Sequence, residues 1–386
     1  PNIIYILADD LGYGDLGCYG QEKIETPNID ALAASGMMFT QHYSGAPVCA
    51  PARAVLLTGQ HSGHSQVRGN DEWGSRGDVW NYHAMLADST LEGQRPIATG
   101  TYTLGSMLQE AGYTTAVVGK WGLGAPHTEG IPTNQGFDYF FGHQRGCIDN
   151  FSHFFYWHGP NLHDLYRNET EIYRPGEFFG DLMVQEMKQF ISEKSSQPFF
   201  TYWAINMPHY PYQGDPKWLD YYADLESPRK EYAAFVSTID EMVGEIYHHL
   251  KAIGELENTI IVYQSDHGYS VEERAFFGGG DAGALNGAKF SMLEGGIRVP
   301  AIIRYPSVLP KNEARHHWAN SIDWMPTLAD LTGINIPGSQ KIDGKSLLPL
   351  ILDAKIPSPH KTMFWGTGNP ENKKHAWAVR KGPWKL

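Results

Sequence analysis

The stretch NIIYILADD at residues 2–10 opens the chain with an almost unbroken apolar run that ends in two aspartates. A run without polar alternation is typical of a strand buried on both faces, as in parallel sheets that are covered by helices. In open α/β sheets, ligands collect at the carboxyl ends of the strands. The stretch therefore predicts an α/β fold, with Asp9 and Asp10 at the edge of the sheet where a functional site is expected.

Strands and helices alternate along the rest of the sequence. Apolar runs and helical spacing predict strands at 114–118, 198–205, 259–264 and 299–305, helices at 27–35, 52–57, 104–111, 181–193, 232–250 and 322–331, and a glycine-punctuated loop at 137–142. This alternation predicts a large, mostly parallel central sheet between layers of helices. We assign residues 1–340 to a catalytic domain and residues 341–386 to the start of a small C-terminal antiparallel-sheet subdomain of α+β type.

The composition limits the classes of function. The 386 residues carry a formal net charge of −13, which argues against a nucleic-acid partner. No segment approaches the roughly 20 apolar residues of a membrane span. An anionic substrate must therefore be attracted by a local cluster of cations. The three cysteines, Cys18, Cys49 and Cys147, are an odd number, which excludes a fully paired disulfide framework.

The first residues of the sequence bear on its location. The sequence begins directly in a predicted strand, without a signal peptide. This pattern leaves two alternatives, a cytoplasmic protein or one whose targeting segment has been removed. We expect the second, and hence a periplasmic or secreted protein, or a lysosomal or extracellular one in a eukaryote.

The segment CAPARAVLLTG at residues 49–59 brings a nucleophile to the start of a short helix. Pro51 suits the first turn, where its missing N–H costs nothing. A helix N-terminus attracts anions, and Arg53 adds a fixed cation with a fork of donors. Both are expected to lower the pKa of the Cys49 thiol. An ordinary buried cysteine fits the same pattern, and this alternative stays open here.

Polar side chains follow several predicted strands. Asp9 and Asp10 end the first strand, Lys120 and His209 follow the next two, and Asp266 with His267 ends a fourth. Adjacent carboxylates repel each other unless a cation compensates, although a pair of solvated loop aspartates would also fit. Three carboxylates and one further ligand suit a hard divalent cation such as Ca²⁺ or Mg²⁺.

The segment 49–59 matches the pattern C-x-P-x-R-x-x-x-L-T-G at every fixed position, and the chain thereby resembles the type I, formylglycine-dependent sulfatases of the alkaline phosphatase superfamily, glycan sulfatases among them. The resemblance recurs in GKW at 119–121 and EGG at 294–296 and covers most of the sequence. It implies the α/β fold of that superfamily and a C-terminal sheet that continues beyond Leu386. It also implies that Cys49 is oxidised to formylglycine by a formylglycine-generating or an anaerobic sulfatase-maturing enzyme.

The resemblance also assigns roles to individual residues. The metal ligands that it implies are Asp9, Asp10, Asp266 and His267, with Ca²⁺ as the expected ion and Mg²⁺ as the alternative. His267 stands where many members have Asn, and its nitrogen is a softer ligand. The catalytic residues that it implies are Cys49, Arg53, Lys120, His209 and Lys289, the cations binding the sulfate group and His209 lying beside the leaving oxygen.

A hydrated aldehyde at position 49 explains why a cysteine should be oxidised. One hydroxyl of the gem-diol attacks sulfur and expels the alcohol, and His209 protonates the departing oxygen. Deprotonation of the second hydroxyl then regenerates the aldehyde and releases sulfate. Covalent catalysis is thereby divided into two easier steps.

One position departs from the family pattern. Many sulfatases read GKWHLG, and that histidine contacts the formylglycine, whereas this chain has Gly122. His127, five residues further on, is one candidate to replace it, and a residue from elsewhere in the chain is the other. The role stays open.

The expected substrate is a sulfated carbohydrate. Candidate substrate-binding residues are His127, Arg68, Asn70, Asp71, His143 and Arg145, and Trp73, Trp80 and Trp157 either stack on sugars or fill the core. The type of glycan and endo or exo action stay open. Two alternatives remain: a phosphonate or phosphate ester hydrolase of the same superfamily, and a non-catalytic sulfoglycan-binding protein.

Overall fold

The structure, a computed structural model, describes residues 1–70, 96–155, 161–194, 197–368 and 375–386. The strands are β1 Asn2–Ala8, β2 Met37–Phe39, β3 His42–Tyr43, β4 Thr114–Lys120, β5 Tyr139–His143, β6 Phe154–Phe155, β7 Leu162–His163, β8 Tyr166–Arg167, β9 Thr170–Glu171, β10 Phe199–Ala204, β11 Thr259–Ser265, β12 Ala301–Arg304, β13 Glu313–Arg315, β14 Ala319–Asn320, β15 Thr362–Thr367, β16 Ala376–Lys381 and β17 Trp384–Lys385. The α-helices are α1 Pro27–Ser35, α2 Cys49–Thr58, α3 Leu104–Glu110, α4 Phe179–Lys194, α5 Pro216–Tyr221, α6 Arg229–Ala252, α7 Glu294–Ile297, α8 Trp324–Thr332 and α9 Leu348–Leu352. Short 3₁₀ turns join several of these elements.

A 10-stranded sheet in the order β13-β2-β12-β11-β1-β10-β4-β5-β8-β9 forms the centre of the fold. Its middle strands, from β11 to β5, run parallel. All seven residues of β1 are buried, as the apolar run predicts. Ile4 and Ile6 face a core formed with α1, α4 and α6, whereas Ile3 and Tyr5 face a core formed with α2, α3, α8 and α9. The predicted α/β fold with a mostly parallel sheet between helices is therefore confirmed.

Three sequence predictions of local structure need correction. Helix α2 begins at Cys49 and not at residue 52. The predicted loop at 137–142 is wrong, because Tyr139–His143 forms strand β5. Its Gly142 lies against the backbone of Gly119 on β4, so glycine serves close packing there and not a turn. Strand β12 is shorter than predicted and antiparallel to both of its neighbours.

The C-terminal residues form the predicted small antiparallel sheet, in the order β15-β16-β17. Trp365 on β15 is fully buried, and its indole N–H donates to the carbonyl of Ser44 at 2.7 Å. This contact packs the small sheet beside the segment that leads into α2. Among the described residues, no helix combines the length and apolarity needed to cross a membrane.

Gly119 precedes the lysine at the end of β4, and we expect its replacement to be costly. Its φ is +111°, and a Cβ would lie 2.0 Å from the carbonyl oxygen of Ala204 on β10. Backbone strain and the clash together predict that Gly119→Ala lowers the free energy of unfolding by about 3 kcal/mol. Gly112 is the matched control, because its φ is also positive, +87°, but a Cβ there meets open space. Urea denaturation should show a loss of only about 1 kcal/mol for Gly112→Ala; equal losses would refute the steric argument.

Candidate active site

The carboxyl ends of four parallel strands converge on one buried site. β1 leads into Asp9 and Asp10, β11 leads into Asp266 and His267, and β4 ends in Lys120. His209 lies five residues beyond the end of β10. All six side chains are at least 95% buried. The fold therefore brings together the residues that the sequence analysis placed at strand ends.

Helix α2 presents Cys49 to this group from its first turn. The Cys49 thiol is 2% exposed and lies 3.6 Å from Oδ1 of Asp9 and 3.3 Å from Nε2 of His267. Asn70 accepts a hydrogen bond at 2.9 Å from the backbone N–H of Ala50, one of the N–H groups at the start of the helix that lack an intrahelical partner. Asn70 thus stabilises the turn that positions Cys49.

Three buried cations pair with three buried carboxylates around the thiol. Nζ of Lys120 lies 2.6 Å from Oδ2 of Asp9, and Nζ of Lys289 lies 3.0 Å from Oδ2 of Asp10. Arg53 donates from Nη2 to Asp266 at 3.0 Å and from Nη1 to the backbone carbonyl of Lys120 at 3.0 Å. The formal charges of these six side chains cancel.

The site also fits a divalent cation. Ligand atoms of Asp9, Asp10, Cys49 and His267 all lie within 4.8 Å of one another. Oδ1 of Asp10 is buried and has no hydrogen-bond partner among the described residues, as expected of an oxygen reserved for another ligand. Oδ1 of Asp266 lies 3.4 Å from Nε2 of His267, at the edge of the same group. The carboxylate oxygens suit a hard cation, to which His267 adds a softer ligand.

The two adjacent aspartates differ in pKa. Burial acts to raise the pKa of Asp9, but Lys120 and Arg53 outweigh it and hold that pKa well below its usual value. Burial raises the pKa of Asp10 to about 8, with Lys289 and His267 opposing the rise and Asp9 adding to it. A cation beside Asp10 would favour its charged form, which is the compensation that adjacent carboxylates require.

The expectation of an activated thiol is wrong. Burial raises the pKa of Cys49, and the opposing charges of Lys120 and Lys289 do not outweigh it. A helix N-terminus and a nearby arginine can be read from sequence, but complete desolvation cannot. The unmodified thiol is therefore a poor nucleophile, since only the thiolate attacks.

One ring nitrogen of His209, Nε2, faces the carboxylates of the site. Its Nδ1 lies 2.7 Å from the carbonyl of Tyr210 and its Nε2 lies 3.8 Å from Oδ2 of Asp10. Burial, followed by the charge of Lys289, holds the pKa of His209 well below its usual value. The neutral form of the imidazole is therefore favoured, with Nδ1–H donating to the carbonyl of Tyr210.

The structure separates the two candidate histidines. His127 is exposed and lines, together with Arg145, a cavity of about 370 Å³. His143 is fully buried and pairs in register with Lys120 on the neighbouring strand. Its Nδ1 lies 3.0 Å from the carbonyl of Arg145, and its Nε2 has no hydrogen-bond partner among the described residues. A Cβ at Gly122 would lie 3.5 Å from Cδ of Arg53, so a side chain there would enter the site.

The other candidate substrate-binding residues have varied surroundings. Arg68 donates from Nη2 to the carbonyl of Gly63 at 2.9 Å, within its own loop. Arg145 lies 3.5 Å from Oδ1 of Asp164. Asp71 falls outside the described residues, as do Trp73, Trp80 and Trp157.

Glu272 is a residue of the site that the sequence analysis missed. Its carboxylate lies 3.3 Å from Nζ of Lys289 and accepts a hydrogen bond from the hydroxyl of Tyr210 at 3.1 Å. It lies in an irregular loop, far in sequence from Tyr210 and Lys289, so no local pattern could have indicated this position.

A second polar cluster is formed by His61, His64 and Asp343. Nδ1 of His64 lies 2.9 Å from the carboxylate of Asp343, and the two imidazole rings stack with centroids 4.2 Å apart and planes 28° apart. Nitrogen lone pairs lie in the ring plane, so nearly parallel stacked rings do not converge on one ion. The cluster therefore anchors the loop after α2.

Comparisons with known proteins agree with this geometry. The family model described as Sulfatase matches residues 1–334, and the model described as N-sulphoglucosamine sulphohydrolase, C-terminal, matches residues 287–386. N-acetylgalactosamine-6-sulfatase of Rattus norvegicus is 33% identical over 409 residues, covering 98% of this chain and 71% of the relative. Arylsulfatase A of Homo sapiens is 32% identical over 408 residues, covering 100% and 74%. The crystal structure of Ps i-CgsB in complex with k-i-k-neocarrahexaose has a TM-score of 0.84 at 29% identity, covering 100% of this chain and 83% of that one.

Proposed function

The chain belongs to the sulfatase family and is a sulfuric ester hydrolase, and from this premise we propose that it removes O-sulfate groups from a sulfated carbohydrate by means of a formylglycine at position 49 and one divalent cation. Relatives named as N-acetylgalactosamine-6-sulfatases and a neighbour solved in complex with k-i-k-neocarrahexaose support a carbohydrate substrate. The location that we propose with it is periplasmic, secreted or lysosomal.

The charge balance around Cys49 is the observation that carries this proposal. The three carboxylates Asp9, Asp10 and Asp266 cancel the three cations Arg53, Lys120 and Lys289. With Glu272, which pairs with Lys289 at the edge of the site, a bound divalent cation would leave a net charge of about +1 in a largely buried setting, where electrostatic interactions are strong. Such a site stabilises a sulfate ester and the charge that develops on its leaving oxygen.

Asp9, Asp10, Asp266 and His267 are the residues that would hold the cation, with Ca²⁺ as the expected ion and Mg²⁺ as the alternative. When bound, the ion supplies Lewis-acid stabilisation of negative charge. The side chains of Asp9 and Asp266 do more than bind metal, because they also orient Lys120 and Arg53 through direct ion pairs.

Sulfate binding, proton donation and nucleophilic attack are assigned to different residues of the site. Arg53, Lys120 and Lys289 bind the sulfate oxygens and spread the charge of the transferring group. His209 donates a proton to the leaving oxygen once the anionic substrate has raised its affinity for protons. A formylglycine hydrate at position 49 supplies one hydroxyl for attack and a second for release of sulfate. A formylglycine-generating or anaerobic sulfatase-maturing enzyme is therefore a required partner.

In this proposal, His143 performs the role of the histidine that many sulfatases have at the position of Gly122. His143 lies beside Lys120, and its buried Nε2 has no hydrogen-bond partner among the described residues. Both observations support a role in accepting the proton of the second hydroxyl at position 49. The hydrogen bond from Nδ1–H to the carbonyl of Arg145 leaves the lone pair on Nε2. Burial, followed by the charge of Lys120, holds the pKa of His143 well below its usual value, so the resting ring is neutral. The negative charge of the sulfate ester at position 49 would then raise the affinity of Nε2 for a proton, as it does for His209 in this proposal.

Replacing His143 with glutamine tests this role. Glutamine keeps a polar side chain but cannot act as a base, so kcat for sulfate release should fall about 100-fold with little change in KM. His127→Gln is the matched control and should stay within about twofold of the parent, because His127 is exposed. Thermal unfolding of both variants checks their folding. Equal losses of kcat in the two variants would make His127 a candidate for the proton acceptor again.

A desulfation screen of defined sulfated oligosaccharides tests the proposed function. The protein is produced with and without a maturing enzyme, and mass spectrometry measures the mass loss in the peptide that contains position 49. We expect sulfate release only from the matured protein. Hydrolysis of phosphonate or phosphate esters in preference to sulfate esters would favour the first alternative. Oligosaccharide binding without release, despite full modification, would favour a non-catalytic binding protein.

The division into domains also enters the proposal. We assign residues 1–340 to the catalytic domain and residues 341–386 to the small subdomain. The antiparallel sheet β15-β16-β17 supports a separate small subdomain. Leu350 and Ile351 of α9 pack into a core of the large sheet, and Met363 and Trp365 share a cluster with Tyr43 and Ile297, so the two units are in close contact.

A further inference from the structure

Three phenylalanines between Glu272 and Leu293 are left exposed by the fold. Phe276, Phe277 and Phe290 are 65%, 73% and 51% exposed. We name these three side chains the aromatic rim. Burying a phenylalanine is favourable by about 1.5–3 kcal/mol, and the rim gains only part of this on folding. Exposed apolar side chains beside a catalytic centre indicate a binding surface.

The backbone of the rim is strained at each phenylalanine. The φ angles of Phe276, Phe277 and Phe290 are +51°, +65° and +68°. Bulky residues are outliers in this region, and each costs on the order of 1–3 kcal/mol. The chain thus holds three large rings in unfavourable conformations that expose them, and folding alone does not account for either property.

Phe290 borders the mouth of the candidate active site. Its backbone N–H donates to the carbonyl of Pro47 at 2.8 Å, two residues before Cys49. The ammonium of Lys289 lies 5.5 Å from the centroid of the Phe290 ring and 3.0 Å from Oδ2 of Asp10. One lysine therefore contacts both the ring and the centre of the site.

Phe277 is joined to the same side of the site. Its backbone N–H donates to the carbonyl of Glu272 at 3.0 Å. The Glu272 carboxylate lies 3.3 Å from Nζ of Lys289 and accepts from the hydroxyl of Tyr210, the neighbour of His209. The rim thus lies on the His209 side, where the sugar departs in the proposed function.

We propose that the aromatic rim stacks on pyranose rings next to the sugar whose sulfate is cleaved, so that the enzyme prefers sulfated oligosaccharides or polymers to small sulfate esters. This inference rests on the proposed function. The C–H face of a pyranose is apolar and carries partial positive charge, which matches the negative face of a phenylalanine ring. The charged groups of the site bind the sulfate, and the rim binds the uncharged ring faces that flank it.

Substrate preference in ring variants tests the rim. Three probes are used. Two are hexasaccharides: κ-ι-κ-neocarrahexaose and, separately, a hexasaccharide of 6-sulfated N-acetylgalactosamine units. The third is the small ester 4-nitrocatechol sulfate. The preference is measured as kcat/KM for the hexasaccharide that the enzyme hydrolyses, divided by kcat/KM for the small ester. Phe277→Ala and Phe290→Ala should each lower this preference by about two- to tenfold, mainly through a higher KM for the hexasaccharide. Phe290→Leu should behave like the alanine variant, whereas Phe290→Trp should restore the ratio. Phe364→Ala is the control, since Phe364 is 54% exposed on β15 and lies outside the rim.

Binding to unreactive protein gives a second, independent measurement. Calorimetric titration of Cys49→Ala protein with the same hexasaccharides should show a Kd that rises by about two- to tenfold in each rim variant. Equal losses on hexasaccharide and small ester, an unchanged Kd, or failure of both hexasaccharides to bind would overturn the inference. Rim-dependent binding by a matured protein that releases no sulfate would support the rim and count against the proposed function alone.

Discussion

Replacing Cys49 with serine is expected to abolish multiple-turnover sulfate release, with a loss on the order of 10³–10⁶-fold in kcat. Serine has one hydroxyl, so any sulfate ester formed on it has no second hydroxyl to expel sulfate. The small change in volume should leave the buried site intact, so sulfated oligosaccharide should still bind with a Kd within about threefold of the parent. Sulfate release under multiple and single turnover, together with calorimetric binding, measures both expectations.

Cys18→Ser is the matched control for this variant. Cys18 is a half-buried, unpaired cysteine outside the candidate active site, and its replacement should leave sulfate release near the parent rate. A Cys49→Ser protein that retained multiple turnover near the parent rate would contradict the formylglycine mechanism. The fold would be unaffected by that result, and the phosphoester alternative would then gain weight.

Asp10→Asn is expected to have the second-largest effect, because it neutralises the carboxylate whose Oδ1 has no hydrogen-bond partner among the described residues. Elemental analysis should find about one Ca²⁺ per chain in the parent and much less in the variant. Sulfate release should fall on the order of 10³-fold. Ligand linkage predicts that Ca²⁺ at 100 times its Kd stabilises the parent by about 2.7 kcal/mol, and this gain should disappear in the variant.

Asp343→Asn controls for a general effect of removing a carboxylate beside histidines. Asp343 contacts His64 in the second polar cluster, and its replacement should change neither the metal content nor the stabilisation by Ca²⁺. Chelation of the parent should reproduce the loss of activity. A parent protein without bound metal, active to the same extent after chelation, would overturn the metal assignment.

Those parts of the fold that depend on local pattern could be predicted from sequence. The apolar run at 2–8 predicts β1 at its observed bounds, because a strand buried on both faces needs no polar alternation. The parallel arrangement then brings Asp9, Asp10 and Asp266 to one edge of the sheet. Their proximity follows from topology, which the alternation of strands and helices already indicates.

Features that depend on distant contacts could not be predicted. Strand β5 was hidden because Gly142 resembles a turn residue, and its use becomes clear only when the backbone of Gly119 lies against it. His127 is close to Gly122 in sequence but exposed, whereas His143 reaches the site through pairing between β4 and β5. The raised pKa of Cys49 depends on burial by elements from the whole chain.

The burial of Cys49 has a consequence for the order of events in biosynthesis. In the folded protein its side chain is 2% exposed and forms part of the first turn of α2. A maturing enzyme needs to bind the chain around the thiol, which a packed helix does not permit. In the proposed mechanism, oxidation should therefore precede folding of α2, and a molecule that folds first would stay inactive. The fraction of active protein in a preparation should then depend on the race between folding and modification, and not on later exposure to the maturing enzyme.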